Sequence, residues 1–271
     1  MARRRKSSAR SRRSRTYTTQ YRRRYTRSTR GARQRQVELF RDASRILDEH
    51  LDTIVARLGL SYLNLSSEEY RTILKPIIEG IISSSEDGVS LDHLLYRLDS
   101  SKQQLYVMVA AYLLENKHSL SDEQLEFIVS YGGPVAASHA PKLYKLLVKR
   151  GRVDLIPLLQ STWEVYGKPT NVTCPYCGFR AVTPSLECII CGREVKEKDL
   201  KKVIDFETRL IEAAENWSTW ELKETIERGY VYLSDEIKPA TATPSPMDIE
   251  IMLSSDERNL LRKILAEKEG R

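Results

Sequence analysis

The sequence predicts a mainly α protein: a helical body, a small four-cysteine insert, and an Arg-rich N-terminal arm that is disordered or ordered only by a partner. Three observations carry this. Apolar residues recur at helical spacing from Val37 to Tyr166 and again from Leu200 to Leu265. All four cysteines fall between Cys174 and Cys191. Residues 1–36 contain fourteen Arg, one Lys and no Asp, Glu, Leu, Ile, Val or Phe, so they cannot bury an apolar face. The chain has 271 residues, 41% hydrophobic and 30% charged, enough for one large domain or two to three small ones. No run approaches the length of a membrane-spanning helix, and no apolar leader stands near the start.

The charge is divided. Residues 1–36 carry a formal +15, while residues 37–271 carry 29 basic and 37 acidic side chains, or −8, giving the net +7. A basic arm on an acidic body implies a polyanion as the arm's partner. Nucleic acid fits best, with DNA weakly favoured over RNA. The residues expected to make the contact are Arg3, Arg4, Arg5, Lys6, Arg10, Arg12, Arg13, Arg15, Tyr17, Tyr21, Arg22, Arg23, Arg24, Tyr25, Arg27, Arg30, Arg33 and Arg35. Arg in place of Lys favours bidentate phosphate contact and stacking. Tyr17, Tyr21 and Tyr25 recur every four residues. On a helix they form one stripe, able to stack on bases or pack on a neighbouring subunit. Competing readings are a mitochondrial transit peptide, which needs an apolar helix face that is missing here, and a nuclear address at Arg3–Lys6.

In the body, Leu39, Phe40, Ala43, Ile46, Leu47, Leu51, Ile54, Val55 and Leu58 predict one helix ended by Gly59. Ser66 with Glu69 predicts a capping box for a helix through Ile81, with a kink or break at Pro76. Residues 83–88 read as a loop. Two helices follow, separated near Asp99–Ser101. Residues 90–117 are either two consecutive helices or a helix-turn-helix with Lys102, Gln103 and Gln104 opening its recognition helix, and the plainer reading is the commoner one. Ser121 opens the next helix, stopped by Gly132-Gly133-Pro134. Pro141 begins another, and a last one covers Asp154 to Tyr166. Residues 37–166 thus form a domain of five to seven helices with almost no strand. Beyond the cysteines, residues 196–237 predict one helix over Leu200–Ile211, a second capped by Ser218 and Glu221 and ended by Gly229, and a short strand at 231–233. Residues 238–253, with three Pro, read as a linker. Residues 254–271 read as an amphipathic helix capped by Ser254 and Glu257, which docks on another subunit or, more commonly, on its own body.

The strongest local signal is Cys174-Pro-Tyr-Cys177-Gly178, ten intervening residues after Cys177, then Cys188-Ile-Ile-Cys191-Gly192. A two-residue gap lets both thiolates of a pair reach one ion, and Gly relieves the turn behind the second. Four thiolates form a closed tetrahedral shell that favours structural Zn²⁺ over an iron site, two disulfides or catalytic zinc. These paired knuckles resemble a zinc ribbon over residues 167–195. The resemblance implies a small β-hairpin module, and zinc ribbons occur in transcription, translation and packaging proteins. Phe179 and Arg180 are its candidate nucleic-acid contacts, and a purely structural staple is the favoured role. The arm resembles, in composition, the Arg-rich arms of viral nucleocapsid and capsid proteins.

Phosphate-binding loops, dinucleotide fingerprints, metalloprotease pairs and nucleophile elbows are missing, and His50, His93, His118 and His139 are scattered. Carboxylate pairs such as Glu68-Glu69 sit at helix starts, where they complement the dipole. The expectation is therefore a non-catalytic, nucleic-acid-packaging nucleoprotein. It would form homo-oligomers through the helical body and C-terminal helix and would reside in a virion or, alternatively, in the cytoplasm or nucleoid of a prokaryotic cell. A zinc-ribbon/helix-turn-helix transcription regulator is the runner-up. Five Asn, seven Gln and no Cys outside the motif fit a thermophilic source.

Overall fold

The computed structural model describes residues 38–270, and the arm residues expected to bind nucleic acid lie outside them. Among the described residues there are twelve α-helices and two small antiparallel sheets. The mainly α expectation holds.

The chain begins differently from the expected long helix. Leu39–Phe40 form strand β1, which pairs antiparallel with β2 (Val89–Ser90) and places Phe40 opposite Val89. The pairing depends on Gly88. Its φ is +93°, and a Cβ there would sit 2.7 Å from the Phe40 carbonyl oxygen. Asp42 then caps α1 (Ala43–Leu58) by accepting from the Ser44 amide, and Gly59 closes it in the left-handed region. The predicted apolar face of α1, Ile46 to Leu58, is the buried one.

The Ser66–Glu69 capping box opens α2 (Ser67–Ser83), which runs through Pro76 without breaking. Ile73 and Leu74 before the proline and Ile78 after it are buried in the same core, so tertiary burial on both sides outweighs the lost backbone hydrogen bond. Helices α3 (Leu91–Ser100) and α4 (Lys102–Asn116) are separated by Ser101 alone. A helix-turn-helix needs a turn of about three to four residues, so the two consecutive helices of the plainer reading are what form. α5 (Asp122–Tyr131) has a capping box of Ser121 and Gln124. The same buried Gln124 donates to the Leu63 carbonyl at 2.9 Å. Gly132-Gly133-Pro134 stops α5 as expected, yet also starts α6 (Gly133–Ser138), because Pro is well placed in a first turn. α7 (Ala140–Arg150) and α8 (Ile156–Tyr166) complete this region. It holds eight α-helices, against five to seven expected.

The expected helix over Leu200–Ile211 is two helices, α9 (Glu197–Val203) and α10 (Phe206–Glu215). Asp205 breaks it at φ +50°, a left-handed conformation that Asp tolerates better than most residues. α11 (Thr219–Arg228) has its predicted capping box and Gly229 terminus. It leads into β3 (Tyr230–Leu233), flanked in one sheet by β4 (Ile237–Lys238) and β5 (Ile249–Met252). α12 (Ser255–Glu269) packs on α10 and α11 of its own body through Leu261, and Lys268 donates to the Glu215 and Trp217 carbonyls at 2.7 and 2.6 Å.

Residues 238–253 are therefore part of the folded body in place of the expected linker. Ile249 and Ile251 of β5 point inward, and Ala240 is buried with its amide donating to Thr225 Oγ1 at 3.1 Å. The buried Asp248 carboxylate accepts from the Ser245 amide at 2.9 Å and from Lys238 Nζ at 3.0 Å. Removing the carboxylate leaves the Ser245 amide without its acceptor, while Lys238, 27% exposed, can turn to water. Asp248→Ala is expected to lower unfolding free energy by about 2 kcal/mol in urea melts; a loss below about 0.5 kcal/mol, as for a true linker residue, would contradict this placement.

Candidate metal centre

The two cysteine knuckles are built by the same local hydrogen bonds. Gly178 donates to the Cys174 carbonyl at 2.9 Å, and Gly192 donates to the Cys188 carbonyl at 2.8 Å. Both glycines have φ near +70°, at +74° and +70°. A Cβ at Gly178 would lie 2.5 Å from Gln160 Nε2 and would push that side-chain amide off the Cys177 carbonyl it donates to. Antiparallel bridges join Thr173 with Arg180 and Glu187 with Glu194, so each knuckle closes a short β-hairpin. A third, Val182 with Cys188, ties the hairpins to each other.

This brings Cys174, Cys177, Cys188 and Cys191 together with all four sulfurs within 4.8 Å of one another. All four are free thiols. Cys174 and Cys191 stand 3.8 Å apart and Cys177 and Cys188 3.6 Å apart. Four thiolates around one ion at about 2.3 Å are separated by about 3.8 Å, close to these two distances, so the cluster can hold a metal ion. The first three cysteines are buried and Cys191 is half-buried. The Tyr176 amide also points at Cys174 Sγ, at 3.5 Å.

The sulfurs compete for protons: hydrogen bonds from Cys177 and then Cys188 lower the Cys174 thiol, while the hydrogen bond to Cys174 raises Cys177 and Cys188, with burial adding to both. A divalent ion in place of the shared protons would let all four ionise.

The metal module is wedged into the body. Gln160 of α8 donates to the Cys177 carbonyl at 2.9 Å, and Trp163 of α8 donates its indole N–H to the Arg180 carbonyl at 2.9 Å. Tyr144 of α7 packs edge-on against Phe179 with centroids 5.7 Å apart. On the other side, the Tyr176 hydroxyl donates to Asp199 of α9 at 2.8 Å. Phe179, Ala181, Val182 and Ile190 are buried and continuous with the cores of both helical regions.

The placement changes the reading of two expected contact residues. Phe179 is 1% exposed and cannot reach a ligand. Arg180 is half-exposed, with its guanidinium donating to the Thr170 carbonyl at 3.0 Å, bridging to Glu164 at 3.5 Å and pairing with the exposed Asp235 at 2.9 Å. The spacing points to all four members of the cysteine cluster, whereas Gln160, Trp163 and Asp199 carry no signal in spacing or composition. Sequence reasoning also missed an aromatic cleft between the turn at Ser61–Leu63 and α5, lined by Tyr62, Phe127, Tyr131, Glu123 and Glu126. No helix among the described residues is long and apolar enough to cross a membrane. Compared with protein-family models, with curated proteins and with solved structures, the chain finds no match.

Proposed function

We propose that this chain is a non-catalytic nucleic-acid-packaging protein of the viral nucleocapsid kind. Many copies coat or condense a genome through residues 1–36, while the folded body supplies scaffold and subunit contacts. The observation that carries the reading is the charge division, +15 in the arm against −8 in the remainder. An acidic body is repelled by the polyanion and leaves the arm as the point of attachment. Phosphate contact by Arg carries no base information, so binding is largely independent of sequence. DNA is weakly favoured over RNA, and the virion is the site of action.

The ion assigned to the cysteine cluster is Zn²⁺, in a structural role. Four thiolates fill a tetrahedral shell and leave no position for water. The one-residue junction at Ser101 and the burial of Phe179 weigh against a sequence-specific regulator, the alternative reading.

A competition assay on the full-length protein tests the reading. Unrelated duplexes of equal length are expected to compete within a few-fold of each other. If half the arm's charges meet phosphates, affinity falls with a log–log salt slope of roughly −6 to −7. A preference above about a thousandfold for one site would instead indicate a regulator.

A further inference from the structure

The geometry points to the cleft between Tyr62 and α5 as a guanidinium-binding site, with an arginine of residues 1–36 of this chain, from the same or a neighbouring copy, as its occupant. The cleft has a volume of about 200 Å³ and is lined by Tyr62, Glu123, Glu126, Phe127, Ser130 and Tyr131. Its rings belong to one packed cluster. Phe127 lies 5.3 Å from Tyr131 and 6.4 Å from Tyr62, and Tyr106 lies 5.2 Å from Phe127 and 5.0 Å from Tyr131, centroid to centroid. Tyr62 and Tyr131 are nonetheless 46% and 49% exposed, so rings that are large and apolar face the opening.

The cluster already attracts a cation from within the fold, since Lys102 Nζ stands 5.5 Å from the Tyr106 ring centroid. The two carboxylates lining the cleft differ in their engagement. Glu126 is paired with Arg152 at 3.0 Å. Glu123 has no ion pair among the described residues; hydrogen bonds from its own backbone amide and then the Ser121 hydroxyl hold it below the usual range, so it stays anionic. A planar cation stacked on tyrosine and capped by Glu123 completes the site. Tyr62 stays neutral there, its hydroxyl pushed up to about 12 by partial burial, then by Tyr131, Tyr106 and Glu126.

Charge complementarity selects the occupant. The chain itself supplies fourteen arginines and no acid in residues 1–36. Reach is sufficient: the fourteen residue steps from Glu38 back to Arg24 span up to about 48 Å when extended, whereas α1, which leads from near Glu38 towards Tyr62, is only about 24 Å long. A cleft of this size takes one guanidinium and leaves the rest of the arm for phosphate, so this anchoring and the packaging role are separate claims.

Limited trypsin cleavage of the full-length protein, without nucleic acid and resolved bond by bond by mass spectrometry, reads the occupancy directly. One arm cluster is expected to be cut roughly fivefold faster in Glu123→Gln, which leaves the packed rings untouched, and in Tyr131→Leu. High salt is expected to speed the wild-type cleavage toward the same rate. Equal rates at every arm arginine in the wild type and both variants would overturn the proposal, whatever the affinity for nucleic acid.

Discussion

Deleting residues 1–36 is expected to weaken nucleic-acid binding by at least a hundredfold, whatever the sequence of the probe. The deletion removes fifteen cationic side chains and leaves a body of formal charge −8. Counterion release from about seven phosphates supplies most of the binding free energy of a sequence-independent protein. Nothing in the remaining charge balance replaces it, and the body's own field opposes approach. Fluorescence anisotropy with a labelled duplex and a labelled single strand, at one fixed salt concentration, measures the loss. The melting temperature of the truncated protein serves as the control. It should fall by no more than a few degrees, because the described core is built without the arm and only one arginine of it is anchored in the cleft; only Glu38 precedes β1 among the described residues. Affinity kept within a few-fold after the deletion would place the contact on the body and end the packaging proposal. The alternative of a sequence-specific regulator predicts a different result, in which preference for one site survives truncation.

How much of this was legible in the sequence depended on whether the controlling forces were local. Capping boxes at Ser66, Ser218 and Ser254 formed as read, because their hydrogen bonds span three residues. The buried face of α1 followed its 3.6-residue period. The four-cysteine cluster was legible because two C-x2-C pairs, each followed by Gly, place four thiols where one ion could be held. The misreadings came where a distant partner decided the outcome. Leu39 and Phe40 fit the helical period of α1, yet they became a strand because Val89 and Ser90 pair with them from about fifty residues away. Ile249-Glu-Ile-Met alternates as a strand should, but the three nearby prolines masked it, and β3 is the partner that orders it. Asp205 broke a well-patterned helix because one left-handed residue costs little when both flanking helices bury their faces separately. At the metal centre, the support from Gln160, Trp163 and Asp199 arises from packing between elements 17 to 23 residues apart, which no spacing rule encodes.

Removing the metal is expected to destabilise the whole body, beyond the 29-residue module. An isolated ribbon would simply unfold when stripped, since a preformed site rarely survives without its ion and the binding free energy is folding free energy. Here the module stands between α8 and α9, and its buried Phe179, Val182 and Ile190 continue the core on both sides. Losing the ion would leave four sulfurs crowded within 4.8 Å of one another, competing for protons with no cation to bind them. The hairpins then loosen, and Gln160, Trp163 and Tyr176 lose their partners together. Cys188→Ser, or a strong chelator on the wild type, should lower the melting temperature by roughly 10 °C or more. Metal analysis should fall from one zinc per chain to well below one. Thr183→Ala, which alters a turn in the same module without touching a ligand, should keep the zinc and most of the stability. The comparison separates loss of the ion from general damage to the hairpins. A wild-type protein carrying iron would correct the identity of the metal, and a Cys188→Ser variant with unchanged melting would remove the structural role altogether. A melt that loses only a small fraction of its amplitude would show the module to be an appendage, whereas its place between the two helical regions requires that they unfold with it.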